Sequence, residues 1–171
     1  MSCAKSASDL RAEILAARDN RETMIHTLLA EGAASLVFVS LAIPGPDKNL
    51  PGSEALFRWA LARLQPAQRL VQGWDVLGRY QIVALNLDPV QAKRRACAIE
   101  DRHPAARLLD LDVYGPDGRQ WSRTALGGKP RPCLLCHEPA GSCIRLQRHA
   151  PEAVIAHAKH LLTDFGHPAA G

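Results

Sequence analysis

Apolar residues in this chain recur at two different spacings, and the changes between them mark out its elements. Near the start, Leu10, Ile14 and Leu15, then Met24, Ile25, Leu28 and Leu29, fall at helical spacing. The polar run Arg18-Asp19-Asn20-Arg21 between them predicts a break, with Asp19 or Asn20 capping a second helix that Gly32 stops. Leu36 to Ile43 is apolar on both parities and reads as a central strand, ended by the rigid turn Pro44-Gly45-Pro46-Asp47-Lys48. Helical spacing returns at Leu56, Phe57, Ala60, Leu61 and Leu64, with Ser53 as candidate cap and Pro66 beyond the end. Tyr80 to Leu87 reads as a second strand. Asp88-Pro89 then pairs an N-cap with a proline at the first helical position, opening a helix to about Glu100.

The segment from Leu109 to Tyr114 alternates strictly, with Leu109, Leu111 and Val113 on one parity and Asp110 and Asp112 on the other. It predicts a strand, a turn at Pro116-Asp117-Gly118 and a partner strand around Trp121. Leu126 to Pro132 is loop-like, rich in Gly, Lys, Pro and Arg, and a last amphipathic helix runs from Pro151 to Phe165. Together these elements predict an α+β fold, an antiparallel or mixed β-sheet flanked by helices, in one domain over 1–171 with a Cys/His-rich segment at 131–149.

Composition narrows the classes of function. The chain has 171 residues, 47% of them hydrophobic, which is enough to bury a core without staples. Its longest apolar run, Ala33 to Ile43, is too short to span a bilayer, and the first residues lack the apolar stretch of a signal peptide. A cytoplasmic location with reduced thiols is the expectation, with no membrane partner. A net charge of +4 without a dense basic stripe, and with 5% aromatics, argues against a nucleic-acid partner. It suits a small anionic ligand or an acidic protein.

The paired acids are the sharpest chemical feature. Two carboxylates on one strand face repel each other unless a cation sits between them, which makes Asp110 and Asp112 candidate ligands for Mg²⁺ or Mn²⁺. Acids on the solvated face of a hairpin are also common. The surrounding cations favour the functional reading: Arg94, Arg95, Arg102, Arg107, Arg119, Arg123 and Lys129 lie between Lys93 and Arg131, more than a solvated strand needs. Glu100 is a possible third carboxylate or base, and equally a surface helix residue.

Cys133-x-x-Cys136, Cys143 and His149 form a second cluster, with His137 competing for the histidine position. Three thiols and an imidazole would complete a structural Cys₃His zinc site, and a closed site of this kind would pin the loop before the last helix. Buried, unligated cysteines are the equal alternative, and a redox pair stands behind both. Cys3 and Cys97 stand alone, and His157 and His160 read as a solvated helix face.

The ordered series His103-Pro104-x-x-Arg107-x-x-Asp110-x-Asp112, Ser122-Arg123 and Arg131-x-Cys133-x-x-Cys136 with Cys143 and His149 resembles the citrate lyase holo-acyl-carrier-protein synthases. The resemblance reaches upstream to Leu15-x-x-Arg18-Asp19-x-Arg21 and Pro44-Gly45-Pro46-x-Lys48, and spans about residues 10–165. It implies transfer of 2′-(5″-triphosphoribosyl)-3′-dephospho-CoA to a serine of the apo acyl carrier protein subunit of citrate lyase, with release of pyrophosphate. Asp110 and Asp112, on a nucleotidyltransferase-like strand, would then be the catalytic metal ligands. Arg107, Arg123, Lys48 and Gly45 would hold the substrate's phosphates. The alternatives are the equivalent malonate decarboxylase transferase and a non-catalytic zinc-stabilised binding module.

Overall fold

The computed structural model describes residues 6–166, so Cys3 lies outside it. The chain opens with α1 (Ala7–Ala30) and β1 (Ser35–Leu41), followed by α2 (Ser53–Arg63), β2 (Gln68–Asp75), β3 (Gly78–Leu85) and α3 (Pro89–Glu100). It continues through β4 (Leu109–Tyr114), β5 (Gln120–Trp121), the short α4 (Ala140–Arg145) and α5 (Pro151–Gly166). All strand pairs are antiparallel and the order is β2-β3-β1-β4-β5. The expected α+β class holds, and of the two sheet types considered the antiparallel one is present.

The sheet is covered unequally on its two faces. On one, Val37, Val39, Val83, Leu85, Leu109, Leu111 and Val113 pack against α2, α3 and α5, through residues such as Leu56, Phe57, Ala60, Ala96 and Leu162. On the other, Leu36, Phe38 and Ile82 meet Ile25, Leu28 and Leu29 of α1. This explains why β1 is apolar on both parities: it is the middle strand and both of its faces are buried. Each fully buried Leu or Ile here contributes roughly 1.5–3 kcal/mol. Only the second half of α1 reaches the sheet, so Leu10 and Leu15 stay exposed.

Three expectations are corrected. The first helix does not break: α1 runs unbroken through Arg18-Asp19-Asn20-Arg21, because that run contains neither Gly nor Pro and simply forms a polar turn of the helix. It begins at a capping box between Ser6 and Asp9, and it stops where Gly32 takes φ +94°. The cap of α2 is Gly52, in the left-handed region, and Ser53 is the first helical residue. β2 is not among the elements that the pattern predicts; it is an edge strand, largely exposed or half-buried, and it carries Gly73. A half-solvated edge strand of this composition has no apolar run to reveal it.

Gly52 also decides how α5 docks. It has φ +83°, and a Cβ there would collide with the carbonyl oxygen of Leu162. Gly52→Ala is therefore expected to lower unfolding free energy by roughly 2–4 kcal/mol, the sum of left-handed strain and displacement of α5. Urea unfolding monitored by circular dichroism would measure it; a change under half a kcal/mol would show that α5 adapts freely.

Candidate active site

β4 turns its acids away from the core. Leu109, Leu111 and Val113 are fully buried while Asp110 and Asp112 are half-exposed, the alternation expected of a strand with one packed face. Register places Asp110 opposite Ser40, and Asp112 opposite Phe38, on the central strand. This is the face that α1 covers only in part. Beyond the packed Phe38, a cleft of about 640 Å³ opens between α1, the sheet and the Pro44–Lys48 turn. Asp110, Asp112, Lys48 and Tyr114 line it together with Arg18, Arg21, Glu22 and His26 of α1.

The electrostatics of this cleft favour a cation beside the acids. Burial, then repulsion from Asp110, pushes Asp112 from its ordinary value near 3.8 up to about 6, against the pull of Lys93 and the Gln120 amide. Lys48 donates from Nζ to the Ile43 carbonyl at 2.6 Å, and burial lowers its pKa. Arg21 is held firmly. Its guanidinium makes two 2.7 Å bonds to Asp75, donates to the Gly78 carbonyl, and lies over the stacked rings of Phe38 and Tyr80.

The outer edge of β4 is satisfied by side chains. β5 pairs with it only at Val113 and Tyr114. Nearer its start, the Leu111 N–H donates to Glu100 at 3.1 Å and the Leu111 carbonyl accepts from Lys93 Nζ at 2.9 Å. Glu100 is 3% exposed and also accepts from Arg131 at 2.6 Å and from Arg123 at 2.9 Å. Arg131 further donates to the Leu109 carbonyl at 2.8 Å and stands 3.6 Å from Asp110. Arg123 in addition forks onto Asp101 at 2.7 and 2.8 Å. Arg107 and Arg123 thus do not share the carboxylate cleft; both line a separate cavity of about 360 Å³. Gly45 lines neither. It takes φ +85°, and a Cβ there would press on Ile155 of α5 at 3.0 Å.

The Cys/His segment closes into a cluster. The ligand atoms of Cys133, Cys136, Cys143 and His149 all lie within 4.8 Å of one another. Cys136 Sγ is 3.5 Å from Cys143 Sγ and 3.4 Å from His149 Nε2. Tetrahedral zinc with ordinary Zn–S and Zn–N bonds needs ligand separations of roughly 3.5–3.8 Å, so the donor set could hold such a metal. Burial opposes ionisation of Cys133, but the N–H groups of Leu135 and Cys136 directed at its sulfur bring its pKa below the usual thiol value. His149, not His137, is the imidazole that joins the group. His160 instead faces Asp164 on α5 at 3.2 Å.

The profile of a protein family described as apo-citrate lyase phosphoribosyl-dephospho-CoA transferase matches residues 10–165. This chain belongs to that family. Proteins named apo-citrate lyase phosphoribosyl-dephospho-CoA transferase from Escherichia coli O139:H28 and Shigella boydii serotype 18 are each 29% identical to it over 161 residues, 89% of this chain and 87% of theirs. Membership in a transferase family favours an enzyme over a non-catalytic module, and the name attached to the family is citrate lyase, not malonate decarboxylase. Among the described residues, no helix is long and apolar enough to cross a membrane.

Within this family member, sequence reasoning missed the α1 side of the cleft. Arg18, Arg21, Glu22, Ile25 and His26 recur at three- and four-residue intervals, and that spacing was the available signal once α1 is taken as unbroken. Asp112 yields a test of the geometry. The unfolded chain releases this proton near pH 4 and the folded chain near pH 6, so folding loses stability as pH rises through that window and remains weaker above it. Asp112→Asn, measured in chelator, is expected to be more stable than wild type by about 1–3 kcal/mol at pH 7.5. The advantage should vanish near pH 4. Equal melting temperatures of variant and wild type at both pH values would mean that neither burial nor Asp110 disfavours the charged form of Asp112.

Proposed function

We propose that this chain transfers a phosphoribosyl-dephospho-CoA group, supplied as the triphosphoribosyl precursor, to a serine of the apo acyl carrier subunit of citrate lyase. The family match points to this reaction, and the paired acids facing the cleft are the observation that carries it. In the reaction the serine oxygen forms a bond to the first phosphorus of the triphosphate. The bond from that phosphorus to pyrophosphate breaks, and the serine proton is released.

The chain's own groups fit the demands of this step. Asp110 and Asp112 are our catalytic pair, and the burial and mutual repulsion that disfavour charge on Asp112 are what a divalent cation would offset. Mg²⁺ or Mn²⁺ held there would supply Lewis-acid charge to the reacting phosphoryl group. Lys48, with its ammonium in the same cleft, offers a point charge to a phosphate oxygen. Arg21, fixed by Asp75 and the aromatic pair, presents a preorganised wall that needs no reordering when an anion enters. Arg107 and Arg123 serve the phosphates from the adjoining cavity, across the strand edge that Arg131 spans. Gly45 contributes by letting the Pro44–Lys48 turn pack close against α5.

Asp110→Asn and Asp112→Asn are each expected to reduce transfer by at least two orders of magnitude, since a lost metal ligand removes several kcal/mol from the transition state. The assay is the mass increase of purified apo carrier incubated with the precursor, and EDTA should stop it. Near-normal turnover by both variants, with unchanged circular dichroism, would sink the assignment.

For the Cys₃His group we propose a structural zinc ion, closed to substrate, that holds the 131–149 segment against the sheet edge. Elemental analysis of protein purified without added metal should find about one zinc per chain. Cys133→Ser and Cys136→Ser should lower the melting temperature. Metal-free protein with an undiminished melting temperature would favour buried, unligated cysteines.

A further inference from the structure

The cavity beside β4 has more positive charge than its acids can use. Four guanidinium groups line it, those of Arg102, Arg107, Arg123 and Arg131, against the carboxylates of Glu100 and Asp101. Both carboxylates are already engaged: Glu100 by Arg123 and Arg131, Asp101 by Arg123. Arg107 makes one long bond, Nη2 to the Pro132 carbonyl at 3.3 Å, and has no ion pair among the described residues. Its Nε is buried without a partner. Arg102 is exposed and has no ion pair among the described residues.

We propose that this cavity is a binding site for a short polyphosphate, inorganic pyrophosphate being the smallest form, held by Arg102 and Arg107 between the fixed walls of Arg123 and Arg131. Two guanidinium groups without an ion pair in one concave wall, Arg102 exposed and Arg107 held by one long bond, match a doubly charged phosphate group better than two lysines would, because a planar guanidinium offers paired donors to one anion. At about 360 Å³ the cavity sits at the small end of ligand sites, suited to a phosphate chain, whereas the 640 Å³ cleft suits a larger coenzyme-like molecule. The two spaces adjoin at Arg131, which lines the cavity and stands 3.6 Å from Asp110 of the cleft. Unlike the carboxylate cleft, this site needs no divalent cation, since its charge is supplied by arginine.

The anion's source rests on the transferase reading: either the leaving pyrophosphate or the precursor's own phosphate chain. The site itself does not rest on it, so binding is measured with pyrophosphate alone. Calorimetric titration of the full chain in EDTA is expected to show one site, weakened about tenfold or more by Arg102→Gln and by Arg107→Lys. Arg102 is exposed, so Arg102→Gln is expected to leave the fold intact, and Arg107→Lys keeps the charge while losing the fork.

In the transfer assay, weaker pyrophosphate inhibition of Arg102→Gln with unchanged KM for the precursor would identify the product as occupant. A rise in both would identify the precursor's chain. Absence of pyrophosphate binding to wild type, or equal affinity in both folded variants, would overturn the site even if transfer to the carrier is observed. Pyrophosphate binding without any transfer would leave the site standing and remove the transferase reading instead.

Discussion

A buried carboxylate has to be compensated, and Glu100 is where this fold meets that requirement. At the end of α3, with 3% of its surface exposed, it accepts from two arginines and one backbone N–H. Removing one partner of such a group typically costs about 3–5 kcal/mol, because the remaining charge is left in a poorly solvating interior. The arginines come from far along the chain, at 123 and 131, and each continues past Glu100 to a second partner. A single charge therefore ties together α3, the open edge of β4, the turn after β5 and the start of the Cys/His segment.

The consequences reach the chemistry. Strand β4 has a paired neighbour along its inner edge but only two residues of partner on its outer one. Unsatisfied backbone at that edge would leave the acids on a fraying strand, and the Glu100 and Lys93 bonds at Leu111 prevent it. Leu111 is the residue between Asp110 and Asp112, so the clamp acts midway between the two carboxylates whose spacing matters. On its inner side β4 is held by β1, the most deeply buried strand, and the site is built on rigid elements as a preorganised centre requires.

The Cys/His cluster belongs to the same arrangement. Its chain begins at Arg131, whose carbonyl accepts from Ala140 N–H at 2.9 Å while its guanidinium reaches Glu100 and the vicinity of Asp110. Cys133 N–H to the Glu138 carbonyl, at 2.7 Å, closes the loop that carries the first two thiols. Few apolar contacts hold this segment, and Ile144 and Leu146 are exposed at 75% and 66%. A segment so poor in core needs another source of cohesion, which four converging ligand atoms can provide.

Much of this was determined by the sequence alone, wherever local patterning suffices. The alternation from Leu109 to Tyr114, the Asp88-Pro89 start of α3 and the stripe from Leu56 to Leu64 each follow from a period or a cap that neighbouring residues specify. The thiol and imidazole spacing likewise named the four residues that converge, leaving only the competition with His137 for the fold to decide. Tertiary structure decided whatever depends on residues distant in the chain. The polar run at 18–21, free of Gly and Pro, continues the helix on local grounds, and only the packing of α1 on the sheet turns its Arg18 and Arg21 toward the cleft. Edge strand β2 has little apolar content of its own and exists through its pairing with β3. Arg107 and Arg123 flank the acids in sequence but stand in a different cavity. A strand separates its face from its edge, and the buried charge of Glu100 draws arginine to the edge.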